Sequence, residues 1–157
     1  MRKFIEKTIP DRHLIKWTFV LIAVMLALVY MMIRPLVVHA DAPPPDNLWQ
    51  GLLAEAVDQG WDGMYAVACV VRNRLAEGKG HGLCGLKRRN LEAFCKREGH
   101  MAEVVAKGIV DQVFNKGGKD TTGGATHYES DRYPIPYWAK NMQKTVKIGQ
   151  HQFYKER

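Results

Sequence analysis

Zinc-site spacing is missing from this chain of 157 residues. Its three cysteines, Cys69, Cys84 and Cys95, form no Cys-x-x-Cys pair, and His81, His100, His127 and His151 are scattered. No metal centre is expected from such a pattern, and no cofactor is implied. Internal repeats and low-complexity tracts are absent, which excludes a repeat architecture. A strong stripe of one charge is absent too. The net charge of +7 divides unevenly. Residues 1–40 hold six basic and two acidic groups, leaving seventeen and fourteen for residues 41–157. A domain at +3 lacks the basic footprint of a nucleic-acid binder. No nucleic acid is expected as partner, whereas an anionic polymer suits this mild charge.

Charge is missing altogether from Trp17 to Ile33, between Lys16 and Arg34. At about 1.5 Å per residue that run is slightly short of a hydrocarbon core of roughly 30 Å. Leu14, Ile15 and residues 35–38 extend it, and the flanking cations can snorkel. Residues 17–38 therefore read as a transmembrane anchor. The rival is a cleaved secretory signal ending at Val38-His39-Ala40, but the run exceeds the roughly 7–15 apolar residues usual there. Either way the basic segment 1–16 stays cytoplasmic, and the remainder works outside, in the periplasm or cell wall. Residues 39–46, with APPPD, form a stiff linker, and residues 47–157 form the domain. Its compartment permits disulfides. Cys84 and Cys95 flank a short basic loop and are the candidate pair, which would contribute about 2–3 kcal/mol. Cys69 sits in an apolar helix as a buried thiol.

Within the domain, Asp46 or Asn47 can cap a helix running to about Val57, with Leu48, Leu52 and Ala56 on one face. A second helix, about 62–75, carries Met64, Val67, Ala68, Val71 and Leu75 at helical spacing and should be the central buried one. Asp62 reads as its N-cap. Residues 76–97 look irregular. A third helix spans about 101–114, with Val104, Val105 and Ile109 inward. Short strands at 125–128 and 152–154 can pair, and a helix is expected over 137–147 with Trp138 and Met142 packed inward. The fold class is α+β, mainly α with a small β-sheet, behind one N-terminal helix.

Glu55 is the first candidate for chemistry. It stands in LLAEAV, near a helix end with apolar neighbours. A carboxyl desolvated in such a setting holds its proton more firmly and can act as a general acid on a glycosidic oxygen; the bland alternative is a solvent-facing helix glutamate. Glycoside hydrolysis usually takes a second carboxylate. Asp58, one turn on, and Glu129 and Asp131, beside a His-Tyr pair, are the options. Gly123-Gly124 gives a tight entry into Thr126-His127-Tyr128, a run of hydroxyl and ring donors. Tyr133, Tyr137, Trp138, Phe153 and Tyr154 offer stacking faces for sugar rings, although most aromatics of a small domain are core.

In their joint order these motifs resemble the SleB-type cell wall hydrolases. The resemblance rests on Glu55-Ala56, Asp62-Gly63, AVACVVRNR at 66–74, Cys84-Gly85 with Phe94, Gly124 to Tyr128, Pro136, Trp138-Ala139, and Ile148 to Tyr154. It covers the chain from about Leu48 to Tyr154. It implies a lysozyme-like fold, peptidoglycan as partner, and cleavage between N-acetylmuramic acid and N-acetylglucosamine, often as a lytic transglycosylase. It places the catalytic role on Glu55, opposite which the two short strands would form a wall of the glycan cleft, with Thr126, His127, Tyr128, His151 and Tyr154 as the expected substrate-binding residues. The chain departs from the family at Gln59, where many members have a second acid, and at Glu129-Ser130, where they have Asn-Pro. The first departure favours a single-acid route over two-carboxylate hydrolysis. A non-catalytic glycan-binding module, and a phage lysis or virion protein with the same activity, remain open at this point.

Overall fold

The computed structural model describes residues 12–33 and 43–157. The two stretches belong to separate units. The first is one helix, α1 (Arg12–Ile33), with exposed apolar side chains from Val20 to Tyr30. Among the described residues no helix is long and apolar enough to cross a membrane. The expected span over 17–38 is therefore not found. The basic segment before Arg12, the Val38-His39-Ala40 site and the first part of the linker lie outside the described residues.

The second unit is built around one helix. α2 (Leu48–Ala56) buries Leu48, Leu52, Leu53 and Ala56, the face expected from spacing. Asn47 precedes it but makes no side-chain cap; the backbone of Leu48 donates to Pro45 O instead, at 2.9 Å. A 3₁₀ turn (Val57–Gln59) follows, and Gly60 at φ +67° redirects the chain. α3 (Gly60–Ala76) then runs through the centre, buried without interruption from Gly63 to Val71. A helix apolar all round must be enclosed on all sides. Its N-cap is Gln59, and Asp62 lies inside the first turn, contrary to the expected cap.

One side of α3 packs with α2, α4 (Leu91–Glu98) and α5 (His100–Val110) in the larger core. Helix α4 replaces part of the irregular segment expected over 76–97. It is short and buries only Phe94 and Cys95, too weak a pattern to stand out. Helix α5 passes into a π-helical turn (Asp111–Asn115). Ile109 faces inward as expected, but Val104 is exposed.

The other side of α3 meets a three-stranded antiparallel sheet, ordered β1 (His127–Ser130), β3 (His151–Lys155), β2 (Gln143–Ile148). The expected pairing of the first and last strands holds, with Tyr128 opposite Phe153. The helix expected over 137–147 does not form. Tyr137–Asn141 is a 3₁₀ turn, and the β-branched pair Thr145-Val146 lies in β2, which gains its hydrogen bonds from β3. Phe153 is fully buried against Ala66, Val70 and Ala125, a burial that contributes about 1.5–3 kcal/mol.

The Cys84–Cys95 disulfide is not formed; all three cysteines are free. Cys84 is exposed and lines the main cleft. Cys95 is buried on α4 beside a separate hollow with Trp49 and His100. The two thiols face different cavities, so the short loop between them does not bring them together. Cys69 is buried, as expected.

Candidate active site

A cleft of about 660 Å³ opens between the end of α2, the 81–88 loop and the sheet. Glu55 reaches it from the last turn of α2, half-buried. The backbone N–H of Gly85 donates to Glu55 Oε1 at 2.5 Å. A side chain at residue 85 would strike Ala54 and crowd Glu55 Oε1. Glycine is what lets the loop bring that N–H to the carboxylate.

Tyr128 meets Glu55 from β1. Burial, then the charge of Glu55 and the hydrogen bond between the two side chains, push the Tyr128 phenol well above its ordinary range. The phenol thus stays protonated and donates to the carboxylate. His151, at the start of β3, is only 6% exposed and packs edge-on to Tyr128 with ring centroids 5.2 Å apart. Its buried Nδ1 has no hydrogen-bond partner among the described residues. Burial holds His151 below its ordinary pKa, while Glu55, Asp58, Glu129 and Asp131 pull it upward. The ring is therefore neutral at neutral pH.

That state has a consequence for stability. A histidine with a depressed folded pKa binds its proton more readily in the unfolded chain. Stability is intact above the unfolded value near 6.5 and falls as pH drops from there toward the folded value. Thermal unfolding is expected at lower temperature at pH 5.5 than at pH 7.5. His127, held down first by burial and then by Arg74 and Lys79, acts in the same direction. His151→Gln should flatten part of the acid limb; an unchanged limb in calorimetric scans would contradict the assignment.

The other expected residues divide. Thr126 and His127 line the cleft, linked by a 3.0 Å contact between Thr126 Oγ1 and His127 Nδ1. Tyr154 does not line it. It is buried, edge-on to Trp138, whose ring covers it. Phe153 is core. Of the five candidate aromatic platforms only Tyr133 lines the cleft. Asp58 and Glu129 both reach the cleft, whereas Asp131 is outside it and pairs with Lys147. Asp58 is exposed and pairs with Arg132 at 3.2 Å, while Glu129 accepts the Ser130 N–H at 3.0 Å. Gln59 lines the cleft but uses its side-chain oxygen on the Gln150 N–H at 2.7 Å, pinning the β2–β3 turn. Among the described residues no group of three or more His, Cys, Asp or Glu is placed to hold a metal ion.

A brace behind the cleft escaped the sequence reading. Arg72 donates to Val113 O and Gly118 O, and Arg74 to Gly80 O and Thr126 O. Between them Asn73 donates to Asp120 and to Ala125 O. Asp120 also accepts from Thr122 and from the Gly124 N–H. Although burial pushes its carboxyl up, the bonds from Thr122, Gly124 and Asn73 hold it below the ordinary value. The signal in the sequence was Asp120-Thr-Thr-Gly-Gly, an aspartate folding back on its own turn.

A helix buried on every side, flanked by further helices and by a small sheet, with an acid in the cleft between them, defines a mainly helical domain with a small sheet and an acid-bearing cleft. The family model for cell wall hydrolases matches residues 58–154, and the chain belongs to that family. It is a peptidoglycan-cleaving enzyme. The match begins three residues after Glu55. Among solved structures, the catalytic domain of the germination-specific lytic transglycosylase SleB from Bacillus anthracis is similar. It is 23% identical, with 71% of this chain and 97% of that chain covered and a TM-score of 0.49. The catalytic domain of Bacillus cereus SleB is 21% identical over 71% of this chain and 91% of that one, with a TM-score of 0.47. No curated protein matches the chain.

Proposed function

We propose that the cleft cuts the bond between N-acetylmuramic acid and N-acetylglucosamine by a single-acid route, with Glu55 as the acid and then the base. One observation carries the reading: Glu55 is held in the cleft by the Gly85 N–H and Tyr128, while residue 59 is an amide occupied with the β2–β3 turn. Glu55 gives its proton to the glycosidic oxygen as that bond breaks. It then takes the proton of the muramyl 6-hydroxyl as that oxygen closes on C1. The muramyl end becomes a 1,6-anhydro sugar, no water is consumed, and the carboxyl returns to its starting state.

Mass spectrometry of digested sacculi tests the route. Anhydro-muramyl ends are expected. Reducing ends alone would mean hydrolysis, with water activated by Asp58 or Glu129, the two further carboxylates in the cleft. Binding to sacculi with no fragments released would leave a non-catalytic glycan-binding module.

The place of action follows from the sequence. The uncharged run from Trp17 to Ile33 supports a single-pass tether with the N-terminus in the cytoplasm and the enzyme domain in the periplasm or cell wall. Loss of the protein from the membrane fraction at alkaline pH, or a mature chain starting after Ala40, would replace the tether with a cleaved signal. Such a tethered enzyme would suit cell-wall remodelling or phage lysis alike.

A further inference from the structure

Three arginines line the cleft: Arg74, Arg88 and Arg132. Arg74 spends its guanidinium on the carbonyls of Gly80 and Thr126. Arg132 is paired with Asp58. Arg88 has no hydrogen-bond acceptor or ion-pair partner for its guanidinium among the described residues; the group lies over the Phe94 ring, 4.1 Å from its centroid, and also acts electrostatically on the Cys95 thiol. Stacking uses the face of a guanidinium and leaves its five N–H donors free in the plane of the group. Phe94 is itself fixed, buried on α4 and overlain from its own helix by Arg97 at 5.2 Å. The ring thus acts as a rigid shelf, and Arg88 lies on it as a preorganised fork.

The position is specific as well. Arg88 ends the 3₁₀ turn that starts at Gly85, and its N–H donates to Gly85 O at 3.1 Å. The N–H of that same Gly85 holds Glu55. One short turn therefore carries both the support of the acid and a free cation at the cleft wall. Lys87 and Arg89 flank it, raising the local positive potential.

We propose that Arg88 is a specificity residue that binds a carboxylate on the side arm of the muramyl sugar. This rests on the glycan-strand reading above. A fork of this geometry matches a carboxylate with two parallel bonds. N-Acetylglucosamine offers no such group. The muramyl side arm does, either as the free lactyl carboxylate of a stripped strand or as a carboxylate of the attached peptide.

The test uses the full chain in detergent and soluble glycan strands of two kinds, peptide-bearing and amidase-stripped. Each is used as prepared and after its carboxyls have been converted to amides with carbodiimide and ammonium. For the wild type, amidation should lower kcat/KM by about ten- to a hundredfold, the worth of a charge-assisted pair. Arg88→Gln should show that loss already on untreated strands and be indifferent to amidation. Arg88→Lys should fall between the two, keeping charge without the fork. A response confined to peptide-bearing strands assigns the peptide carboxylate; a response of stripped strands assigns the lactyl group. Arg88→Gln matching the wild type on untreated strands, or losing further on amidation by the wild-type factor, would overturn the proposal. Strand affinity of Glu55→Gln with and without Arg88→Gln gives a readout free of turnover. If the wild type cuts no strand, the glycan-cleavage reading fails by itself. The Arg88 assignment then stands or falls on whether the second substitution weakens carboxylate-dependent binding.

Discussion

Glu55→Gln is expected to lower release of fragments from purified sacculi by about 10²–10⁴-fold, the usual contribution of a positioned general acid, while thermal unfolding stays where it is. Glutamine keeps a side-chain oxygen where Oε1 accepts the Gly85 N–H, and the Tyr128 hydroxyl can donate to the amide oxygen or accept from the amide nitrogen. It cannot donate and recover a proton. The fold keeps its contacts and the chemistry loses its acid. Glu55→Ala is a poorer probe. It would leave the Gly85 N–H and the buried Tyr128 hydroxyl without their acceptor, which costs about 1–3 kcal/mol for each unsatisfied group. Activity and stability would then fall together. Equal rates for wild type and Glu55→Gln would remove Glu55 from the mechanism and move attention to Glu129 and Asp58, the remaining acids of the cleft.

The site was legible where chemistry depends on residue type in a local pattern. Glu55 on its apolar helix and the His127-Tyr128 pair could be picked out because a carboxyl among Leu and Ala, or rings after a double glycine, are unusual in a plain core, while His151 was marked only by the family resemblance. Their convergence is real: Glu55, His127, Tyr128 and His151 line one cleft. Tyr154 stands outside the cleft because it is buried against Trp138, a ring brought in by the 137–141 turn, and such a non-local neighbour leaves no mark on the β3 pattern. The 137–147 segment failed differently. Its helical spacing of Trp138 and Met142 was outweighed by an available strand partner, which no local pattern reveals. The disulfide failed because spacing in sequence says nothing about the direction in which two thiols point. Least legible was the brace. Arg72, Asn73 and Arg74 stand in the polar last turns of the central helix, yet their side chains hold four separate stretches of chain. Polar networks that join distant loops leave almost no periodic trace.

That brace carries the second large expectation. Asp120→Ala should destabilise the domain by about 2–4 kcal/mol in chemical denaturation, because it strands several donors at once. Oδ1 accepts from Thr122 N–H and Oγ1, at 2.8 and 2.6 Å; Oδ2 accepts from the Gly124 N–H at 2.6 Å and from Asn73 at 3.3 Å. Asp120→Asn should fall between wild type and alanine. Its carbonyl oxygen can serve one pair of donors, but its amide nitrogen then faces the other pair with nothing to accept. The effect should also reach activity, although Asp120 is not in the cleft. Gly123 and Gly124, at φ +68° and +79°, lead straight into Thr126, His127 and Tyr128, and Asp120 fixes that approach through Gly124. Strand cleavage should therefore drop even at temperatures where Asp120→Ala remains folded. Acid dependence gives an independent check. The folded carboxyl titrates below the ordinary value of 3.8, so its contribution is fully present above that pH and is lost as pH falls through the folded value. Wild type should show this acid limb, and Asp120→Asn, with no carboxyl to titrate, should lack its share of it. If Asp120→Ala unfolded at the wild-type denaturant concentration, the turn would have to be held by Asn73 and Thr122 alone. The approach to Tyr128 would then owe its shape to the two glycines rather than to the carboxylate.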